Sequence, residues 1–259
     1  MVETFSMTLP RLTGKEKRRV YAYIPQEARR NPEARFPVLY MFDGHNVFFD
    51  RTATYGKSWG MKTYMDQTRT PLIIIAVDCN HAPDYGRLKE YAPFSFEDPG
   101  FGRIEGKGQK YMQWMVETLK PYVDERYPTL PDRGHTMIAG SSMGGLMTVY
   151  ALAAFGDTFS RGAALSPSLW TSPRSILRLI RTSPHMKGCV MYMDYGSQEL
   201  QNHEGMLKIY RQVQDACLEA GTFLTSRIVP MGEHCEACWE QQIPFFMQTL
   251  FYHLPEAAD

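Results

Sequence analysis

Thr136-Met137-Ile138-Ala139-Gly140-Ser141-Ser142-Met143-Gly144-Gly145 is the stretch on which the fold turns. Its first four residues read as a buried strand, and Leu146-Met147-Thr148-Val149-Tyr150-Ala151-Leu152 behind it reads as an amphipathic helix. Strand, G-x-S-x-G, helix is the setting in which a serine sits on a sharp, strained turn with its hydroxyl held out over a sheet. Glycines two before and two after the serine fit because strand and helix approach too closely there for a Cβ. That spacing selects Ser142; counted around Ser141, the flanking positions would be Ala139 and Met143. The competing reading is a Gly-rich, Ser-capped helix start without chemistry.

The rest of the chain repeats the same alternation. Apolar runs at 38–42, 72–77, 136–139, 162–165, 190–193 and 223–229 read as strands, preceded by a β segment at 4–9 and 19–24. Helical periodicity falls at 111–127, 146–155, 173–181, 203–220 and 235–250. Strands apolar on both faces, alternating with helices, imply a central, mostly parallel sheet with helices on both faces. The expectation is a single α/β domain over residues 1–259, with 44% apolar residues to fill its core. The segment 79–106 is too long for an ordinary connection. Tyr85, Tyr91, Phe94, Phe96 and Phe101 make it too aromatic for a disordered linker, so it reads as an ordered cap.

Composition excludes some partners. Lys and Arg number 28 against 28 Asp and Glu, which favours neither nucleic acid nor an anionic membrane. The start, Met1-Val2-Glu3-Thr4-Phe5, lacks a signal-peptide pattern, and the longest apolar runs are strand-sized. The expectation is a soluble, cytoplasmic protein that acts on a small molecule; nothing indicates a homo-oligomer. Five scattered cysteines do not suggest a disulfide framework. His234-Cys235-x-x-Cys238 invites a zinc or redox reading, but a single C-x-x-C fits equally two cysteines on the first turn of a helix.

A serine hydroxyl needs a base, and the base an orienting acid. In a doubly wound sheet both must come from loops at the carboxyl ends of strands. Of seven histidines, His135 and His185 precede strands and so lie at the wrong end, while His253 lies past the last helix. His234 follows the last strand directly, with His203 as runner-up. Strand 190–193 ends in Asp194-Tyr195-Gly196-Ser197-Gln198-Glu199, which offers Asp194 or Glu199. Glu199 is favoured because it lies past a turn and has the longer reach. The oxyanion of a tetrahedral intermediate would take the amide of Met143, at a helix N-terminus. A second amide, that of His45, would follow Gly44 in the turn Asp43-Gly44-His45-Asn46, with Gly44 supplying the unusual backbone.

These pieces together resemble the putative esterase family of α/β hydrolases, which includes enterobactin esterases, feruloyl esterases, esterase D and the mycolyltransferases. The matching stretches are Tyr40-Met41-Phe42-Asp43-Gly44-His45-Asn46-Val47-Phe48, Arg87-Leu88-Lys89-Glu90-Tyr91 and Gly140-Ser141-Ser142-Met143-Gly144-Gly145. They continue with Ala164-Leu165-Ser166-Pro167-Ser168-Leu169-Trp170, Asp194-Tyr195-Gly196-Ser197-Gln198-Glu199, and Gly232-Glu233-His234 with Trp239. The resemblance implies an α/β-hydrolase fold and a triad of Ser142, Glu199 and His234. It also implies an oxyanion hole from the amides of His45 and Met143, and catalysis without metal or cofactor. Family members more often carry Gln where this chain has His45, and they differ between Asp and Glu at the acid. Asp43, Asn46, Trp59, Glu90 and Trp170 are the candidate pocket residues. The function so implied is a serine esterase acting through an acyl-enzyme on small acyl, aryl or sugar esters. An acyltransferase using the same triad, or a hydrolase fold kept only for binding, are the alternatives.

Overall fold

The computed structural model describes residues 1–199 and 205–256. Among the described residues ten strands form in chain order: β1 Val2–Thr8, β2 Lys17–Tyr23, β3 Val38–Met41, β4 Ile73–Val77, β5 Phe96–Asp98, β6 Gly102–Ile104, β7 Thr136–Ser141, β8 Arg161–Leu165, β9 Val190–Gly196 and β10 Phe223–Val229. Eight of them make one sheet in the order β1-β2-β4-β3-β7-β8-β9-β10, while β5 and β6 pair as a separate hairpin. β1 and β2 run antiparallel at one edge, and every pair from β4 to β10 is parallel.

The apolar runs pack on both sides of this sheet because alternate residues of a strand point to opposite faces. Val38, Tyr40, Ile73, Ile75 and Ile138 join the cluster on one face. Leu39, Met41, Ile74, Ala76, Met137 and Ala139 join the cluster on the other. The runs at β3, β4, β7, β8 and β9 are thus buried on both faces. The run at 223–229 is not, because β10 is an edge strand that leaves Phe223 and Ile228 exposed.

From β3 the chain moves outward to β4, then returns to place β7 on the other side of β3. That reversal opens a crevice at the carboxyl ends of β3 and β7, where ligands bind in open α/β sheets. The turns carrying Asp43–Asn46 and Ser142 both begin there.

Three departures from the expected elements have physical causes. Met143–Ala154 is not amphipathic: every residue from Met143 to Ala153 is buried, because the helix is covered by β7, β8 and the helix Pro173–Thr182. The helix expected at 111–127 runs from Gly108–Trp114 through a π turn at Met115–Leu119 into Lys120–Arg126; the π turn lies just before Pro121, whose missing N–H cannot bond back to Glu117. The helix Met61–Thr68 has no counterpart in the periodicity, since it buries only Met61 and Met65. Residues 79–106 carry a short helix, Gly86–Glu90, and the β5–β6 hairpin. No helix among the described residues is long and apolar enough to cross a membrane.

Candidate active site

Ser142 has φ 58° and ψ −122°, a backbone conformation that non-glycine residues rarely adopt. It is pinned there. Its N–H donates to Leu165 O at 3.0 Å, and its carbonyl accepts from Ser168 N at 3.0 Å. The flanking glycines are a steric requirement: a Cβ on Gly140 would lie 2.8 Å from the Gly144 carbonyl carbon, and one on Gly144 2.9 Å from Phe42 Cβ. Ser141 is the last residue of β7. The Ser142 hydroxyl lies 3.3 Å from that of Ser168, its hydrogen-bond partner among the described residues.

Glu199 and His234 arrive from the turns after β9 and β10. Those turns touch: a Cβ on Gly196 would come within 2.2 Å of Gly232 O. The contact brings Glu199 Oε2 to 2.6 Å from His234 Nδ1. Glu199 Oε1 accepts from Ser166 Oγ at 2.5 Å and from Gly196 N at 2.6 Å. Trp239 Nε1 in turn donates to Ser166 Oγ at 3.0 Å, and its ring meets that of His234 edge-on. With Nδ1 facing the carboxylate, Nε2 is the ring nitrogen that can face a serine. The other histidine considered, His203, lies outside the described residues.

Asp194, the other candidate acid, points elsewhere. Its two oxygens accept from Ser166 N at 3.1 Å and Tyr192 OH at 2.8 Å, within the sheet. Burial pushes its carboxyl up to about 7, against those two hydrogen bonds. The unfolded chain has an ordinary Asp, so between about pH 4 and 7 the native state binds more protons. This group therefore lowers stability as pH rises through that window, by at most about 4 kcal/mol. Asp194→Asn is expected to flatten the dependence in urea melts between pH 5 and pH 8 while costing about 1 kcal/mol at pH 5 for the altered hydrogen bond. Equal pH slopes in both proteins would refute the assignment.

Two clefts meet at Ser142 and His234, sharing Arg87 and Leu88 in their walls. The larger, about 530 Å³, extends past Asp43, His45, Tyr55 and Tyr85 to Trp239. The smaller, about 250 Å³, is bounded by Met143, Ser168, Trp170 and Tyr195.

Of the expected pocket residues, Asp43, Asn46 and Trp170 line these clefts. Asp43 takes a bidentate pair from Arg87 at 2.7 and 2.8 Å. Asn46 Nδ2 donates to Glu236 Oε1 at 3.0 Å, and burial raises the Glu236 carboxyl above its usual range. Trp170 packs edge-to-face on Phe96 of the hairpin.

Trp59 and Glu90 belong to neither cleft. Trp59 is core, its ring tilted against Trp239 and edge-to-face with Phe246, so it supports the wall rather than forming it. Glu90 is buried in a bidentate pair with Arg18 at 2.6 and 3.0 Å. The turn after β3 also differs in detail from its expected form. The left-handed residue is Asp43, with φ 54°, and not Gly44. Gly44 is required for space, because a Cβ there would lie 2.6 Å from Ala76 O.

Ser166, Ser168, Arg87 and Glu236 had not been singled out as site residues. Ser166 and Ser168 stand in Leu165-Ser166-Pro167-Ser168 directly after β8, where the carboxyl-end rule alone could have found them.

A profile of the family described as "Putative esterase" matches residues 13–244. The chain belongs to that family. It is a carboxylesterase-type hydrolase. The uncharacterized protein YbbA of Bacillus subtilis is 25% identical over 215 residues, covering 79% of each chain. The ferri-bacillibactin esterase BesA of the same organism is 26% identical over 173 residues, 61% of this chain and 57% of that one. Among solved structures, a ferulic acid esterase superposes with a TM-score of 0.70 at 19% identity over 97% of both chains. The enterobactin esterase FES from Shigella flexneri superposes with a TM-score of 0.74 at 17% identity, over 97% of this esterase and 59% of that chain. At those identities the superpositions speak for the fold alone, which is that of the α/β hydrolases.

Proposed function

We propose that this esterase hydrolyses small carboxylic esters by double displacement at Ser142. The observation that carries the reading is the strained Ser142 turn opening onto the same clefts as a histidine held by a carboxylate at 2.6 Å. Ser142 Oγ attacks the ester carbonyl carbon while its proton passes to His234 Nε2. The tetrahedral oxyanion rests on the amides of Met143 and His45. Collapse breaks the C–O bond to the alcohol, which leaves with the proton from His234. Water then attacks the acyl-enzyme, giving its proton to His234, and the acid departs as Ser142 is re-protonated. Glu199 keeps the proton of neutral His234 on Nδ1 and supports the imidazolium.

The two clefts that diverge from Ser142 suit the two halves of an ester. Tyr55, Tyr85 and Trp239 in one, and Trp170 and Tyr195 in the other, favour an aryl group on either side. The similar structure named as a ferulic acid esterase agrees with an aromatic acyl group, and relatives named as siderophore esterases agree with ester hydrolysis. The 79–106 segment acts as the cap, contributing Arg87 and Leu88 to both clefts and Phe101 to the smaller. Five free thiols suit work in the reducing cytoplasm.

A fluorophosphonate probe is expected to label the native enzyme at one site, which peptide mapping places on Ser142. Aryl esters should lead a panel of acyl chain lengths. An unlabelled protein would return it to the class of binding proteins with a hydrolase fold. Product partitioning toward an added alcohol over water would make it an acyltransferase.

A further inference from the structure

A second group of reactive side chains stands in the wall of the larger cleft, apart from Ser142, Glu199 and His234. β4 ends at Val77, and the next residues bring Asp78, Cys79 and His81 against His45 from the turn after β3. His45 Nδ1 lies 2.6 Å from Asp78 Oδ1, and His81 Nε2 lies 2.8 Å from the same oxygen. Cys79 Sγ is 3.9 Å from the His81 ring nitrogens. One donor atom from each of the four residues falls within 4.8 Å of all the others.

His45 supplies an independent sign. It is 7% exposed, and its Nε2 is 3.0 Å from Thr54 Oγ1. Its buried Nδ1 has no properly directed hydrogen-bond partner among the described residues, despite the nearness of Asp78. An imidazole with its proton on Nε2 turns a lone pair outward at Nδ1. Where Nε2 donates to Thr54 Oγ1, that lone pair faces the Asp78 carboxylate, an arrangement that a cation held between the two would stabilise. An outer hydrogen bond from the far ring nitrogen is also what orients metal-bound histidines.

We propose that His45, Asp78, Cys79 and His81 form a site for a divalent transition-metal ion of the zinc or cobalt type. Two imidazoles, one carboxylate and one thiol match the borderline character of those ions, whereas Mg²⁺ and Ca²⁺ require oxygen donors. Tetrahedral bonds of about 2.0 Å to nitrogen set donors roughly 3.3 Å apart, so small side-chain rotations would open the present contacts. Cys79 joins as thiolate: its S–H bond breaks, the sulfur pair goes to the metal, and the proton leaves to the buffer. His81 is exposed on the cleft, which gives the ion its way in. A bound ion ties the turn after β3 to the turn after β4, and so steadies the His45 backbone. The ion takes no part in the hydrolytic steps above, and its binding does not depend on them.

The test is a titration of the full-length, tag-free, reduced protein with Co²⁺ after a chelator wash, read by visible absorption. The expected result is one equivalent bound in the micromolar range, with the d–d bands of a four-coordinate ion and a thiolate charge-transfer band. Cys79→Ser should abolish the charge-transfer band, and His81→Ala, at an exposed position that folding tolerates, should weaken binding at least tenfold. Zn²⁺ should raise the melting temperature of the native protein and not of His81→Ala. Ser142→Ala, and a variant with both Cys235→Ser and Cys238→Ser, should bind as the native protein does. Absence of stoichiometric binding would overturn the proposal. So would binding untouched by Cys79→Ser and His81→Ala, or binding lost with Cys235 and Cys238.

Discussion

Ser142→Ala is expected to remove essentially all turnover, a loss of about 10⁶ in kcat, while the protein stays folded. The size follows from the double displacement proposed above: if Ser142 is the nucleophile, then without its hydroxyl there is no acyl-enzyme, and only binding and oxyanion stabilisation remain. The fold should persist because the strain at Ser142 is held by backbone bonds to Leu165 and Ser168, which alanine retains. Among the described residues its side chain makes one hydrogen bond, the 3.3 Å contact with Ser168. Fluorophosphonate labelling should vanish together with the burst of product. Ser141→Ala is the control, since Ser141 belongs to β7 and precedes the turn; it should keep most of its activity. Circular dichroism and melting would register any collapse of either variant. An active Ser142→Ala beside a dead Ser141→Ala would place the nucleophile one residue earlier.

The parallel sheet was legible because its strands are short continuous apolar runs, and residues such as Leu39 and Tyr40 do go to opposite faces. The turn after β7 was legible because steric need dictates both glycines around Ser142. What escaped was whatever depends on partners distant in sequence. The Arg18–Glu90 pair joins residues 72 apart, so the motif around Glu90 reads as a pocket wall although its carboxylate is taken up by Arg18 in the core. Trp59 is an aromatic next to the site, and only packing reveals that Trp239 stands between it and the cleft.

The choice between Asp194 and Glu199 lies between these extremes. Asp194 is in register with Leu165 on one side and Arg227 on the other, inside the sheet. Residues two apart in a strand share a face, which is why Tyr192 OH reaches its carboxyl. Glu199 lies beyond Gly196, outside that alternation. The alternation rule therefore already favours Glu199, but the meeting of two turns that delivers it to His234 rests on Gly196 against Gly232 and cannot be read from either segment alone.

Glu199→Gln should then cost about 10⁴ in kcat, the size seen when a triad carboxylate becomes an amide. The wiring of this carboxylate explains how. Oε1 accepts from both Ser166 Oγ and Gly196 N, so the glutamine oxygen must stay there. Its NH₂ group is left facing His234 Nδ1 in place of Oε2. A donor at that position makes Nδ1 the acceptor, forces the ring proton onto Nε2, and leaves His234 unable to take a proton from Ser142. Turning the amide over would set its NH₂ against two donors, which is worse. The charge that supports the imidazolium is also lost. KM should change little, because Glu199 is buried behind the histidine, and the rate of fluorophosphonate labelling should fall in parallel with kcat. Measuring kcat for Glu199→Gln and Asp194→Asn on one activated aryl ester separates the possibilities. A severe loss in Asp194→Asn beside a mild one in Glu199→Gln would transfer the role to Asp194. Losses below tenfold in both would mean that Ser142 and His234 work as a dyad, with the carboxylate at 2.6 Å serving only to hold the turn.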